Sequence, residues 1–216
     1  MIRVGVHGAT GRMGRLVVDE VVAAPDLDLA WTAAWDLPAD LTADVIIDFS
    51  APEAFARLLS VARCPVVSGT TGMDLPTSSA VPLLHAANFS VGVAVLRRLL
   101  VAAHAALPDY DIELVELHHK HKRDAPSGTA LRLIDGLGTM HLGHDGLRIP
   151  GVTGVHSVRG GDIVGEHRAY LCGPGERIEL AHVATSRAVF AAGAVRAARW
   201  ILGKPPGVYT LEDTLA

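Results

Sequence analysis

The sequence predicts an α/β fold in two parts: a parallel-sheet domain, then an α+β domain with a mixed open sheet. Three observations carry this reading. Strand-like and helix-like stretches alternate at short spacing from Ile2 to Asn88, the pattern of a parallel sheet with crossover helices. A glycine run, Gly8 to Gly14, stands directly between the first strand and the first helix. After Asn88 the alternation gives way to a long apolar helix, an alternating strand and two strands of hairpin type.

Taken in order, Ile2 to Val6 alternates and ends at Gly8. From Arg12 to Ala24, Met13, Leu16, Val17 and Val21 recur at helical spacing, and Pro25 closes the segment. Leu27 to Trp35 reads as a second strand. Val45-Ile46-Ile47 is a short apolar run, as expected of a strand covered on both faces. Ser50 with Glu53 predicts a capping box for a helix through Ala62. Pro65 to Ser68 is the fourth strand and runs into Gly69-Thr70-Thr71-Gly72; a fifth lies at Val81 to Ala86.

Beyond Asn88, Val91 to Leu107 is a long apolar helix stopped by Pro108. Asp111 to Leu117 sets Ile112, Leu114 and Leu117 among acidic residues, as a strand does. A helix begins at Ser127, and a glycine-rich region follows it. Glu166 to Cys172 and Glu176 to Thr185 predict antiparallel strands joined by Gly173-Pro174-Gly175. Arg187 to Leu202 reads as an amphipathic helix ended by Gly203 and Pro205. The sequence contains neither an internal repeat nor a low-complexity linker.

Composition narrows the class. The 216 residues suffice for one large domain or two small ones. A formal net charge of −4 argues against a general nucleic-acid binder. No apolar run reaches the roughly 18–20 residues needed to cross a bilayer. The N-terminus lacks the pattern of a secretory signal, so a cytoplasmic protein is expected. Cys64 and Cys172 stand alone in apolar surroundings and read as small buried hydrophobes rather than a disulfide framework.

In Gly8-Ala9-Thr10-Gly11-Arg12-Met13-Gly14 the glycines permit a tight turn and let backbone N–H groups approach a pyrophosphate. The helix N-terminus adds a favourable field for the anion. The spacing, G-x-x-G-x-x-G, departs from the usual fingerprint, but its place after the first strand predicts a Rossmann-type dinucleotide site. Asp36 is the candidate acidic partner for the adenosine ribose. Arg12, at the mouth of the loop, could meet a phosphate instead, which leaves NADH and NADPH both open. Gly69-Thr70-Thr71 and Ala86-Ala87-Asn88-Phe89 follow the fourth and fifth strands. There they would line a nicotinamide pocket.

Glu116 to Ala130 reads Glu-Leu-His-His-Lys-His-Lys-Arg-Asp-Ala-Pro-Ser-Gly-Thr-Ala. It contains a basic island, His118 to Arg123, in a mildly acidic chain, and it ends in a helix start with Ser127 as N-cap. Imidazoles, ammonium groups and free N–H groups at Gly128 and Thr129 would converge on one anion, most simply a carboxylate. A histidine beside it could transfer a proton near neutral pH. His119 and His121 have i, i+2 spacing but lack partners at metal-site spacing, so no metal is expected. No aromatic residues interleave the basic run as nucleic-acid stacking would require.

These motifs, with Ala87-Asn88-Phe89-Ser90, Ile163 to His167 and Ser186 to Lys204, resemble in order those of the 4-hydroxy-tetrahydrodipicolinate (dihydrodipicolinate) reductase family. The resemblance implies an oxidoreductase using NADH or NADPH on a cyclic dicarboxylate of the diaminopimelate route to lysine, as a homotetramer. By position it implies His118 as general acid and Lys122 as second proton donor. His119, Gly128 and Thr129 would bind substrate carboxylate. Gly8, Ala9, Thr10, Gly11, Arg12, Met13, Gly69, Thr70, Thr71, Ala86, Ala87, Asn88 and Phe89 would hold the cofactor.

The expected division is a dinucleotide-binding domain of residues 1–88 completed by 191–216, and a substrate and oligomerisation domain of residues 89–190. Closure of the two would bring nicotinamide to substrate and exclude water. His118 and His119 can share one substrate only if the strand has ended there, because successive strand residues face opposite ways. The chain departs from longer family members between Asp36 and Asp44, which is short, and Asp36 lacks a following Arg. Two other readings stay open: another nicotinamide-dependent dehydrogenase of an anionic substrate, and a dinucleotide sensor without catalysis. The absence of a cysteine in catalytic context disfavours an acylating semialdehyde dehydrogenase.

Overall fold

The computed structural model describes residues 1–143 and 146–215; residues 144, 145 and 216, within the expected domain ranges, lie outside the described residues. In chain order the elements are β1 (Ile2–His7), α1 (Arg12–Ala23), β2 (Leu27–Ala33), β3 (Val45–Asp48), α2 (Pro52–Val61), β4 (Val66–Ser68), β5 (Pro82–His85) and α3 (Val91–Ala106). They continue as β6 (Asp111–His118), α4 (Gly128–Asp135), β7 (Met140–Leu142), β8 (Val152–Arg159), β9 (Gly165–Gly173), β10 (Glu176–Ala184), α5 (Ala188–Ile201) and β11 (Gly207–Tyr209). The chain divides into one unit of residues 1–91 with 187–216 and a second of residues 92–186.

The first unit holds a parallel sheet of order β11-β5-β4-β3-β1-β2. β3 and β4 are buried along their whole length, which is why Val45-Ile46-Ile47 and Val66-Val67 form unbroken apolar runs. The closing helix α5 packs on α1 and on β3, β4 and β5. Its buried side is small (Ala191, Gly193, Ala194, Ala197, Ala198), so it lies close to the sheet. A Cβ on Gly193 would strike the carbonyl oxygen of Phe89. The packing of all of α5 here puts the boundary at Ser186/Arg187, a few residues before the expected one.

The second unit holds a mixed sheet of order β10-β9-β6-β8-β7, antiparallel on the β9 side and parallel on the β8 side. β6 buries every second residue, Ile112, Leu114, Glu116 and His118. The first two join Leu96 and Leu100 of α3, Leu133 and Ile134 of α4 and Leu171 of β9 in the core. The next two continue the same face where that apolar cluster ends, so the strand's pleat delivers a carboxylate and an imidazole to a buried place.

The structure corrects the sequence-based expectations in four places. β2 ends at Ala33, leaving Trp35 and Asp36 in a bend. Ser50 forms no capping box: Ala51 is the N-cap of α2, Pro52 opens the helix, and the Ser50 hydroxyl goes to Asp48 instead. β7 and β8 occupy the glycine-rich region, where turn residues mask the strand signal. At Gly154 in β8 a side chain would meet the carboxylate of Glu113 opposite it on β6 and displace it. β11, just past Pro205 and Pro206, adds a sixth parallel strand to the first sheet.

Candidate active site

In the first unit the glycine loop has the form a pyrophosphate needs. Gly8 sits at φ +77°, in the left-handed region glycine favours. A Cβ on Gly14 would stand 2.7 Å from Ala9 Cα and drive into the Gly8 carbonyl, so only glycine lets α1 start this close to the loop. The N-cap of α1, Gly11, makes no side-chain cap bond and the first turn carries no acidic residue, which suits the backbone N–H groups to an external anion.

A cavity of about 230 Å³ lies beside this loop, lined by Met13, Phe49, Gly69, Thr71, Ala87, Asn88, Phe89 and Phe190. Six of these eight are expected cofactor residues, brought together from three separate strand ends. Phe49 and Phe190 were not foreseen. The Phe49 and Phe89 rings pack at 5.6 Å, tilted 58°. A phenylalanine directly after a buried strand was the available signal for Phe49; Phe190 lies in the closing helix, far off in sequence.

Other expected cofactor residues take different places. Ala86 is buried beneath the cavity and donates its N–H to the Ser68 carbonyl. The Thr70 side chain points inward, to Asp48. Ala9 pairs by its N–H with the Ala33 carbonyl, and Thr10, Gly11 and Arg12 are exposed. Asp36 is exposed, next to Trp35, whose carbonyl accepts from Arg57 Nη2 at 3.3 Å.

Asp48 organises these loops from below. Its buried carboxylate accepts from Ser50 Oγ (2.6 Å), Ser68 Oγ (2.7 Å) and Thr70 Oγ1 (2.7 Å), and meets His7 Nδ1 at 2.8 Å. Burial opposes its charge, but the bonds from His7, Ser50, Ser68 and Thr70 outweigh burial and hold its carboxyl below the usual range. One side chain thus ties the carboxyl ends of β1, β3 and β4. Thr70→Val, which removes one donor and keeps the shape, is expected to cost about 2 kcal/mol in urea unfolding. An unchanged midpoint would show that this bond adds nothing net.

In the second unit β6 ends at His118, so His119 is released from strand alternation and the stated condition for a shared substrate is met. His118 is 8% exposed. Its Nδ1 lies 2.7 Å from Glu116 Oε2, while Glu116 Oε1 accepts from Arg159 Nη2 (2.7 Å) and Ser127 N (3.1 Å). Burial works against the Glu116 carboxylate, but bonds from His118, Arg159, Ser127 and Ser157 prevail and keep it ionised far below the ordinary range. Ser127 Oγ caps α4 by accepting from Ala130 N at 3.1 Å, as foreseen, and lies 3.3 Å from His167 Nε2.

His167 faces His118 edge-on, centroids 5.3 Å apart. Burial, reinforced by the neighbouring His118, pushes its pKa down to about 4, so it is neutral at physiological pH. As pH falls below about 6.5 the unfolded chain takes up a proton here that the folded chain refuses. Stability present at pH 7 is therefore lost through the window from 6.5 down to 4. Between pH 7 and pH 5 this residue should remove about 2 kcal/mol of unfolding free energy. His167→Phe should flatten that part of the profile; equal slopes in both proteins would refute it.

Lys122 Nζ is paired with Asp124 at 2.8 Å, and Asp124 is held low first by that ammonium and also by the Gly128 backbone N–H. The Asp124 carboxylate thus sits at the amino end of α4, where a carboxylate ligand was expected, beside half-buried Thr129. His119 stacks obliquely on His121 at 6.3 Å. Glu116, His118 and His167 bring one possible ligand atom each within 4.8 Å. The Arg159 guanidinium already bonded to Glu116 opposes a metal cation there and favours a frame for proton transfer. Sequence reasoning missed Arg159, Asp124 and His167 as site members; Asp124 had a signal in the Glu116 to Ala130 segment and His167 in the matched segment ending there, while Arg159 had none.

Two family models together cover most of the chain, meeting near residues 92–95. Residues 92–215 match the family model described as dihydrodipicolinate reductase, C-terminus. Residues 2–37 and 32–95 match that described as dihydrodipicolinate reductase, N-terminus. The two stretches overlap at residues 32–37, at the end of β2 and the start of the short connection to β3. A 4-hydroxy-tetrahydrodipicolinate reductase of Sulfurimonas denitrificans is 40% identical over 253 aligned positions, covering 100% of this chain and 99% of the relative. One of Anaeromyxobacter dehalogenans is 41% identical over 265, covering 100% and 98%. In fold, the chain is similar to a dipicolinate-bound dihydrodipicolinate reductase of Paenisporosarcina sp. TG-14, with TM-score 0.80, 22% identity and 99% of each chain covered.

Proposed function

The chain belongs to the dihydrodipicolinate reductase family and is an NAD(P)H-dependent oxidoreductase, and we propose that His118 and Lys122 are its proton donors. The reaction reduces 4-hydroxy-tetrahydrodipicolinate to tetrahydrodipicolinate in lysine biosynthesis. Overall a hydride and a proton enter, and the hydroxyl leaves as water. When bound, the reduced nicotinamide supplies the hydride. Gly8, Ala9, Thr10, Gly11, Arg12 and Met13 would hold the pyrophosphate, and Gly69, Thr71, Ala87, Asn88 and Phe89 the nicotinamide end. Thr70 and Ala86 would act by backbone and support. Asp36 would reach the ribose only from an exposed bend, without an adjacent basic partner.

The observation that carries the assignment is the buried His118 with its Nδ1 2.7 Å from the Glu116 carboxylate, which favours Nε2 as the atom that gives the proton. The substrate carboxylate would be bound by His119 and the N–H groups of Gly128 and Thr129, displacing Asp124 from Gly128 and freeing Lys122 to act. The residues 1–91 with 187–216 would serve the dinucleotide, and residues 92–186 the substrate. We place the enzyme in the cytoplasm as a homotetramer. Among the described residues no helix is long and apolar enough to cross a membrane, and β10 exposes Ile178 and Val183 on an edge strand. Light scattering should give four copies.

The test is a coupled assay with aspartate semialdehyde, pyruvate and the preceding synthase, following oxidation of NADH and of NADPH. Turnover dependent on all three is expected. No oxidation with either cofactor would overturn the reading.

A further inference from the structure

We propose that Glu116 is the positioning residue for His118: it fixes the Nδ1–H tautomer, and it anchors the start of α4 against the same carboxylate. The inference rests on His118 being the proton donor. Glu116 and His118 are the last two inward positions of β6, two residues apart on one face. Oε2 and Nδ1 stand 2.7 Å apart, off the line of an ideal hydrogen bond. The Ser157 hydroxyl, beside Glu116 on β8, also bonds this carboxylate.

A carboxylate ion accepts and cannot donate. The Glu116 carboxyl, with its protonation far below the ordinary range, stays an acceptor at any working pH. Its Oε1 takes Arg159 and Ser127, so Oε2 is the oxygen that faces Nδ1 and favours the hydrogen there. Once His118 has given up a proton, the one it keeps is on Nδ1. The nitrogen that exchanges protons is Nε2. β9 leaves that nitrogen uncovered: a Cβ on Gly165 would stand 3.1 Å from it.

The other oxygen does separate work. Ser127, whose N–H Glu116 accepts, is the N-cap of α4, and the next two residues are Gly128 and Thr129. Glu116 therefore sets the position of the proton donor and of the helix end that would take the substrate carboxylate from one point. The charged or titratable groups around the pair are Arg159 at the end of β8, His167 on β9 and Lys122 in the turn after β6. Of these only Arg159 bonds Glu116, and it does so on the oxygen remote from His118.

Glu116→Gln separates the two tasks. The amide oxygen can still accept from Ser127 and Arg159, while its NH₂ faces Nδ1 and demands the Nε2–H tautomer. We expect kcat to fall by roughly 10²-fold or more, as a misassigned tautomer does, with KM for the dicarboxylate changed by less than about threefold. Glu116→Asp, which restores the charge, should recover part of kcat.

The readout that a merely structural role would not move is the ¹⁵N spectrum of His118 in histidine-labelled protein. At a pH where the ring is neutral, wild type should show Nδ1–H and Glu116→Gln should show Nε2–H. A wild-type ring in the Nε2–H form, or an unswitched ring in a folded Glu116→Gln protein, overturns the proposal. Should Glu116→Gln fail to fold, wild type and Glu116→Asp decide it, both being required to show Nδ1–H. The spectrum is independent of turnover, so a protein inactive in the coupled assay would sink the reductase reading and leave this test standing.

Discussion

His118→Gln is expected to lower kcat by roughly 10²-fold or more, the usual scale for loss of a general acid. Gln fills much of the same space and can still accept or donate at the strand end, but it cannot release a proton from a ring nitrogen. The change is confined to the last residue of β6, past the apolar positions of that face, so the fold should persist. Substrate binding should change far less than kcat, because His119 and the N-terminus of α4 are intact. An unaltered kcat would remove His118 from the mechanism, whatever the effect on KM.

Lys122→Met should also depress turnover, by a similar order if its ammonium gives a proton. In the structure that ammonium is not idle: it grips Asp124, which in turn accepts the Gly128 N–H. Removing it frees an exposed carboxylate next to the helix end meant for a substrate carboxylate. KM is therefore expected to rise as well as kcat to fall. If only KM moves, Lys122 is a binding residue. The double substitution Lys122→Met with Asp124→Asn tells the effects apart: it should restore KM while leaving kcat low.

The parallel sheet was legible because Val45-Ile46-Ile47 and Val66-Val67 are short unbroken apolar runs, the mark of strands covered on both faces. The change of pattern after Asn88 suggested a boundary there, and the structure divides the chain after Val91 and again after Ser186. β8 was not legible, because its strand character is interrupted by Gly154, which sits against the Glu113 carboxylate. The Ser50 capping box failed for a related reason. Spacing cannot reveal that a buried Asp48 lies nearer to the hydroxyl than the helix N–H groups do.

In the second unit's site, partners contributed by other strands were not readable. His118 and Lys122 share a motif with Ser127 and Gly128. Arg159 comes from β8 and meets Glu116 only through parallel pairing with β6. No local pattern marks it. Asp36 stands just beyond the end of β2, exposed, at about the distance at which the sequence led an acidic residue to be expected.

The pleat of β6 also governs what lengths evolution can try. Core and proton donor hang on one strand, and their alternation is a matter of parity. Loss or gain of a single residue between Ile112 and His118 would turn either the apolar anchors or the imidazole to the wrong side. Two such changes would restore the side but shift the partner strand. The stretch between β2 and β3 carries no such parity, and there the chain has been shortened without losing its sheet. Economy of length in this protein is thus permitted at the cofactor's edge and forbidden on the strand that ends in His118.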